Sequence, residues 1–235
     1  MNQKSLRSLG MVLALGCVGF SSSALAGDYP CRTTLGKVTI DGNIVVQNGA
    51  CTLNGTYVKG NVLVYSGGRL TTTGAQIDGN IQAKDSISVT VTGQTYVDGD
   101  IQLENLRGSR SSVTGSVIEG NIQLKSNRQS VAVERNSVDG DIQFEGLRVF
   151  ASTDKGSVTG NTVKGNIQLK SNYLPLSVAS NTVDGDVQAF SNRANPLLIS
   201  YNTIDGNLQC KSNNPAPTGV GNRVSGSKED QCRRL

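Results

Sequence analysis

The sequence contains no histidine and no tryptophan. The first absence removes Ser–His–Asp triads and most metal hydrolases, which need imidazole as base or ligand. The second removes the usual platform for stacking a sugar ring. No GxSxG elbow, phosphate-cradling glycine loop or nonapeptide calcium repeat is present. The five cysteines include no CxxC pair, and with no histidine to help, a zinc site has no adequate ligand set. No cofactor is called for.

Long hydrophobic runs are also scarce. The one that stands out, Leu9 to Phe20, follows Lys4 and Arg7 and precedes a small-residue stretch ending Ala24-Leu25-Ala26. This is the pattern of a secretory signal peptide spanning 1–26 and cleaved after Ala26. It is too short to span a bilayer, and no other stretch is long enough. The residues before Cys17, Ala14-Leu15-Gly16, fit a lipidation site poorly. A secreted or periplasmic location is expected. Removing Lys4 and Arg7 from 22 basic residues leaves 20 against 18 acidic ones, net +2. That balance argues against nucleic acid as a partner.

What is present in abundance is one phrase. Thr182-Val183-Asp184-Gly185-Asp186-Val187-Gln188 has relatives along the whole remaining chain, with glycines at 42, 60, 79, 99, 120, 140, 165, 185, 206 and 226. A period near twenty marks a solenoid. Counted from each glycine, positions −2, +2 and +4 are apolar, while −1, +1 and +3 are polar nearly throughout. Such alternation, rich in Val and Ile, reads as a half-buried strand. By parity the glycine falls on the inward side, where it saves space or lets the chain bend. A second apolar stretch follows, as in Val131-Ala132-Val133 and Leu176-Ser177-Val178, in looser register. Asparagines recur at −4 (Asn136, Asn161, Asn181, Asn202, Asn222) and +7 (Asn127, Asn172, Asn192, Asn213). They are placed to turn left-handed corners, and stacked amides can bond along a ladder.

One such unit cannot bury its own apolar face, so neighbours must stack. The predicted fold is all-β: a right-handed parallel β-helix, or solenoid, of about ten rungs with a period of about twenty residues. It forms a single domain over 27–235, with cap regions at 27–38 and 212–235. The columns agree with stacking. Position +1 alternates Asn and Asp from Asn80 to Asn207, and position +5 reads Lys84, Glu104, Lys125, Glu145, Lys170, Phe190, Lys211. Like charges are kept apart only if the copies lie in register. Position +3 is a column of glutamines.

The spacings of Cys31 to Cys51 and Cys210 to Cys232 match one turn each, which predicts two disulfides between adjacent rungs, one at each end. The ends of a solenoid are open sheet edges, a route to self-association. The widest gap, Gly140 to Gly165, leaves a modest bulge near 148–155.

Chemistry has few places to sit. Paired acids, Asp98/Asp100, Asp139/Asp141 and Asp184/Asp186, point to an outer face and would serve either a calcium row or a glycan-cleaving carboxylate pair. A flat solvated face neither encircles an ion nor raises a carboxylate's pKa, so a merely soluble surface fits better and no metal is expected. At +8, Arg107, Arg128, Arg148, Tyr173 and Arg193 form a column able to track an acidic polysaccharide, with a hydrated corner as the plainer reading. An ice-binding surface would want ranks of outward threonine, and Thr71-Thr72-Thr73 reads as one local cluster.

The phrase at 181–188 and its copies resemble right-handed parallel β-helices of the pectate-lyase-like superfamily over about residues 36–228. That resemblance implies the fold and carbohydrate as the commonest ligand class, without carrying over catalytic residues. The terser copies Gln76-Ile77-Asp78-Gly79-Asn80-Ile81 and Val58-Lys59-Gly60-Asn61-Val62 also resemble bactofilins, β-helical proteins that polymerise end to end. The expectation is a non-enzymatic structural or binding protein of the cell envelope or extracellular matrix, with polysaccharide or an envelope component as partner. The alternatives are a polysaccharide lyase or hydrolase using an Asp pair beside the bulge, and an end-to-end polymer.

The assigned faces can be tested directly. Ile142→Asp should prevent folding by placing a charge in a dry interior, whereas Gln143→Asp should cost little. Thermal unfolding of the two variants distinguishes them, and similar losses from both would refute the faces.

Overall fold

The computed structural model describes residues 27–108 and 110–235, and the expected signal peptide at 1–26 lies outside them. Among the described residues there is no helix. The chain winds through three parallel sheets of 11, 9 and 10 strands, here called A, B and C. One turn illustrates the path. Val117–Ile118 lies in sheet C, Ile122–Lys125 in A, Ser130–Glu134 in B, and Ser137–Val138 returns to C one level along. Sheet A runs from Asp28–Pro30 to Lys228–Asp230.

The register follows the repeat phase. Ile81, Ile101, Ile122, Ile142, Ile167, Val187 and Leu208 pair in succession down sheet A. All seven are fully buried. Their neighbours at +4 and the inward residues of sheets B and C complete one core running from Cys31 to Leu235. Burying a Val, Leu or Ile side chain contributes about 1.5–3 kcal/mol, and each rung shares that burial with the rungs on either side. The two expected disulfides are present: Cys31 joins Cys51 and Cys210 joins Cys232, with Cα separations of 5.5 and 5.2 Å.

Two local expectations need correction. The corner asparagines are not the left-handed residues. The positive φ belongs to the residue just before each: Ser126, Ser171, Ser191 and Ser212 before the +7 column, and Arg135, Gly160, Ser180, Tyr201 and Gly221 before the −4 column. That residue swings the chain round the corner and aims the next side chain inward. There the amide restores the hydrogen bonds that the corner interrupts. Asn161 donates its backbone N–H and its Nδ2 to Asn181 Oδ1, at 2.9 and 3.0 Å. Asn181 does the same to Asn202, and Asn202 to Asn222. Each Nδ2 also reaches a carbonyl of the preceding turn, as Asn181 does to Val158. The +7 column makes a matching ladder from Asn172 to Asn213, interrupted by Leu147 before it and closed at its C-terminal end by Gln231, whose Oε1 accepts from Asn213.

The repeat glycine is also not shaped by the core. A Cβ on Gly120 would lie 2.5 Å from Asp100 Oδ1 and 2.8 Å from the Gly99 carbonyl oxygen. The crowding therefore comes from the rung below. The glycines stack on one another at the corner between sheets C and A.

Asn181→Leu tests the ladder. It strands the backbone N–H of Asn161 and the carbonyl of Val158 in a dry interior, each at about 1–3 kcal/mol. The variant should lose several kcal/mol in chemical denaturation, more than Ser180→Ala next to it. Equal stability of the two would show that the amide column does not hold the corner.

Candidate functional site

The paired acids are separated by structure. Asp100, Asp141 and Asp186 belong to the corner ladder: each Oδ1 accepts the backbone N–H of the next turn's asparagine at 2.7 Å, and its Nδ2 at 3.0–3.2 Å. Asn43, Asn61, Asn80, Asn121, Asn166 and Asn207 act in the same way toward the turn above them. An Asn above each Asp supplies a second donor that another Asp would lack, and Asn above Asn bonds in the same way at 43, 61 and 80. The glutamine column joins in, with Gln143 Nε2 donating to Asp141 Oδ2 at 3.2 Å. Gln143 is therefore less free than alternation implied, and Gln143→Ser is the better control for Ile142→Asp.

The other member of each pair, Asp98, Asp139 and Asp184, lies across the corner glycine beside sheet C. Asp139 meets Lys164 at 2.6 Å, and the hydrogen bond to that carboxylate holds the Lys164 ammonium above its usual pKa. Lys59, bonded to Asp41 at 2.6 Å, is raised for the same reason. Among the described residues no group of three or more His, Cys, Asp or Glu side chains is placed to hold a metal.

The bulge at 148–155 does not stand beside the acids. It follows the A/B corner, with the whole Ile142–Glu145 strand between it and Asp139/Asp141. It is pinned by Asp154, a residue whose role the sequence did not signal. Asp154 Oδ2 accepts the N–H groups of Phe150 and Ala151 at 2.9 and 2.8 Å, and Oδ1 accepts the Ser130 hydroxyl at 3.0 Å. Burial pushes this carboxyl's pKa up, but those hydrogen bonds outweigh it and hold it below the ordinary value. The nearby groove lined by Lys155, Pro175, Pro196 and Leu198 holds about 240 Å³. That along sheet A at Leu63, Tyr65 and Gln82 holds about 220 Å³. Small-molecule sites usually occupy about 300–1,000 Å³.

The arginine column is a physical column. The backbone N–H of Arg128 bonds to Leu106, that of Arg148 to Asn127, Tyr173 to Leu147 and Arg193 to Asn172, so successive +8 residues sit directly above one another. Arg107, Arg128, Arg148, Tyr173 and Arg193 are all exposed. The Arg148 guanidinium lies 4.5 Å over the Tyr173 ring, which extends the cationic surface across the one rung that lacks arginine. Parallel-strand spacing puts these groups about 4.8 Å apart. Arg69 and Arg110 add charge on the neighbouring face of sheet B.

Neither a scan against protein-family models nor searches of curated proteins and of solved structures found a match to this chain.

Two features escaped the sequence reading. Position −1, which periodicity marks only as polar, is an acidic ridge: Asp78, Asp98, Glu119 and Asp139 stack on consecutive turns, followed by Lys164, Asp184 and Asp205. The sequence carries the letters, and the coil places them side by side along the corner next to sheet C. The threonine cluster at 71–73 is also part of a rank. Thr52, Thr71, Thr90 and Ser112 pair in succession on the outer face of sheet B, until Ala132 interrupts them. The rank was hidden because sheet B drifts against the glycine count: Thr90 lies 11 residues after Gly79, but Ser112 lies 13 after Gly99.

The Asp154 anchor gives a pH prediction. Its folded pKa is depressed, so its contribution is present above the unfolded value of about 3.9 and is lost as pH falls through the folded one. Amide exchange at Phe150 and Ala151, corrected for intrinsic rate, should accelerate below about pH 4. Asp154→Asn should abolish that pH dependence, and an unchanged profile would remove the anchor role.

Proposed function

We propose that the protein is a non-enzymatic structural and binding β-solenoid of the cell envelope or extracellular matrix, which holds an anionic polymer, an acidic polysaccharide foremost, along its arginine corner. The observation that carries this reading is the column of exposed guanidinium groups on four of five successive rungs, spaced by the backbone ladder. Backbone pairing presets the spacing of the row, so binding need order only the side chains and less of the interaction is lost to entropy. Guanidinium groups suit carboxylates and sulfates because their planar fork can donate two hydrogen bonds at once. The two disulfides are compatible with an oxidising compartment outside the cytoplasm. A corner ladder that consumes Asp100, Asp141 and Asp186, and a bulge placed away from it, favour binding over glycan cleavage. The kinship suggested by pectate-lyase-like enzymes and bactofilins rests on the shared coil alone.

The test is retention on immobilised polygalacturonate. The wild-type protein should be held at low salt and released as salt rises, because exposed charges are screened. Arg107→Ala/Arg128→Ala/Arg193→Ala should pass through unretained with unchanged thermal unfolding. Undiminished retention of this variant would end the proposal.

A further inference from the structure

The chain handles like charge in two different ways. At position +1 each Asp is separated from the next by Asn, and at +5 Lys and Glu alternate, with Lys84–Glu104 at 3.7 Å and Glu145–Lys170 at 3.6 Å. At two corners that precaution is dropped over several turns, with Lys164 meeting Asp139 only at the end of the acidic run. The acidic ridge at −1 stacks four carboxylates in a row, and the basic corner at +8 stacks three arginines in a row. Runs of like charge at rung spacing repel one another. An opposite run at the same spacing relieves both.

The two corners match rung by rung. On the turns of Gly99, Gly120, Gly140 and Gly185, position −1 is Asp98, Glu119, Asp139 and Asp184, while position +8 is Arg107, Arg128, Arg148 and Arg193. On the intervening turn of Gly165 the ridge carries its one cation of this stretch, Lys164. On that same turn the basic corner has Tyr173 in place of arginine. Two copies lying side by side, parallel and level, would thus set a carboxylate against a guanidinium at four turns and a lysine against a tyrosine ring at the fifth. An antiparallel arrangement centred on the same turns sets Lys164 against Arg128. Backbone pairing fixes both columns to one pitch, so the match does not drift along the rod.

We propose that the acidic ridge of one molecule docks on the arginine corner of a second copy of this chain, giving parallel, level, side-by-side assembly. The inference rests on the reading of the arginine corner as a polyanion-binding edge, and names the neighbour's ridge as one polyanion of the right pitch. The contact is heterologous: each molecule uses one corner to give and another to receive. Such a contact repeats without closing unless the rotation between copies brings it round to a ring. The product is a lateral array of rods, distinct from end-to-end growth.

Sedimentation velocity of the oxidised protein tests this at about 0.01 M salt, where the screening length is about 30 Å, and at about 1 M, where it is about 3 Å. The weight-average mass should rise at least twofold with concentration at low salt and return to monomer at high salt. Asp98→Lys/Glu119→Lys/Asp139→Lys and Arg107→Glu/Arg128→Glu/Arg148→Glu should each stay monomeric alone and assemble when mixed, which also shows that both are folded. For the register, Asp184→Cys mixed with Arg193→Cys should form an intermolecular disulfide, and Asp98→Cys mixed with Arg193→Cys should not. A wild-type protein that stays monomeric at low salt overturns the inference. If it is still retained on polygalacturonate through its arginines, the proposed function stands without it. Cross-linking of the Asp98→Cys and Arg193→Cys pair in preference to the other overturns the parallel arrangement.

Discussion

Each turn of this protein is held in place by the turn beneath it. A parallel strand has no hairpin partner of its own, so its N–H and C=O groups are satisfied only when the next twenty or so residues come round to the same level. That requirement fixes the pitch, and the pitch makes neighbours of residues that are twenty apart in the chain. The core, the corners and the charged surface are consequences of it. Ile101 is buried because Ile81 and Ile122 lie beneath and above it, and Gly120 is glycine because Gly99 and Asp100 leave no room for a Cβ.

Corners are the weak points of such a coil, since the ladder breaks wherever the chain turns. Side chains carry it across. At two corners asparagine points inward and passes its amide from turn to turn. At the third, Asn and Asp point outward and cap the backbone N–H of the turn above. The inward positions must be neutral, because they are dry: the −4 column is asparagine without a break from Asn136 to Asn222, and the +7 column mixes asparagine with Leu106 and Leu147. The outward position tolerates a charge on every second turn, and that is where Asp100, Asp141 and Asp186 occur. Solvent exposure thus decides which amide columns admit a carboxylate.

The surface follows the same logic until the −1 and +8 corners, where like charges are stacked over several turns, relieved at the −1 corner where Lys59 meets Asp41 and Lys164 meets Asp139. A net charge of only +4 conceals this, because the acidic ridge and the arginine corner offset each other in the sum while lying apart on the rod. Function is argued from that contrast. A chain that elsewhere separates its charges gains nothing for its own stability by concentrating them in two places, whereas a partner of opposite sign and equal pitch would gain from both.

The repeat phrase alone was enough to specify the sheet A strands, the inward columns at +2 and +4, the rung count and the pairing of Cys31 with Cys51 and of Cys210 with Cys232. All of these depend only on residues one period apart being neighbours. Position within the turn was another matter. That Ser180 rather than Asn181 takes the left-handed conformation, that Thr71 and Thr90 share a rank with Ser112, that Asp154 ties down the bulge, and that the acids of each pair lie on either side of a corner all required the folded coil. The reason is geometric. Periodicity reports distance along the axis, which backbone hydrogen bonding makes uniform, whereas direction around the axis is set by the φ of single corner residues and by the varying length of the path through sheet B.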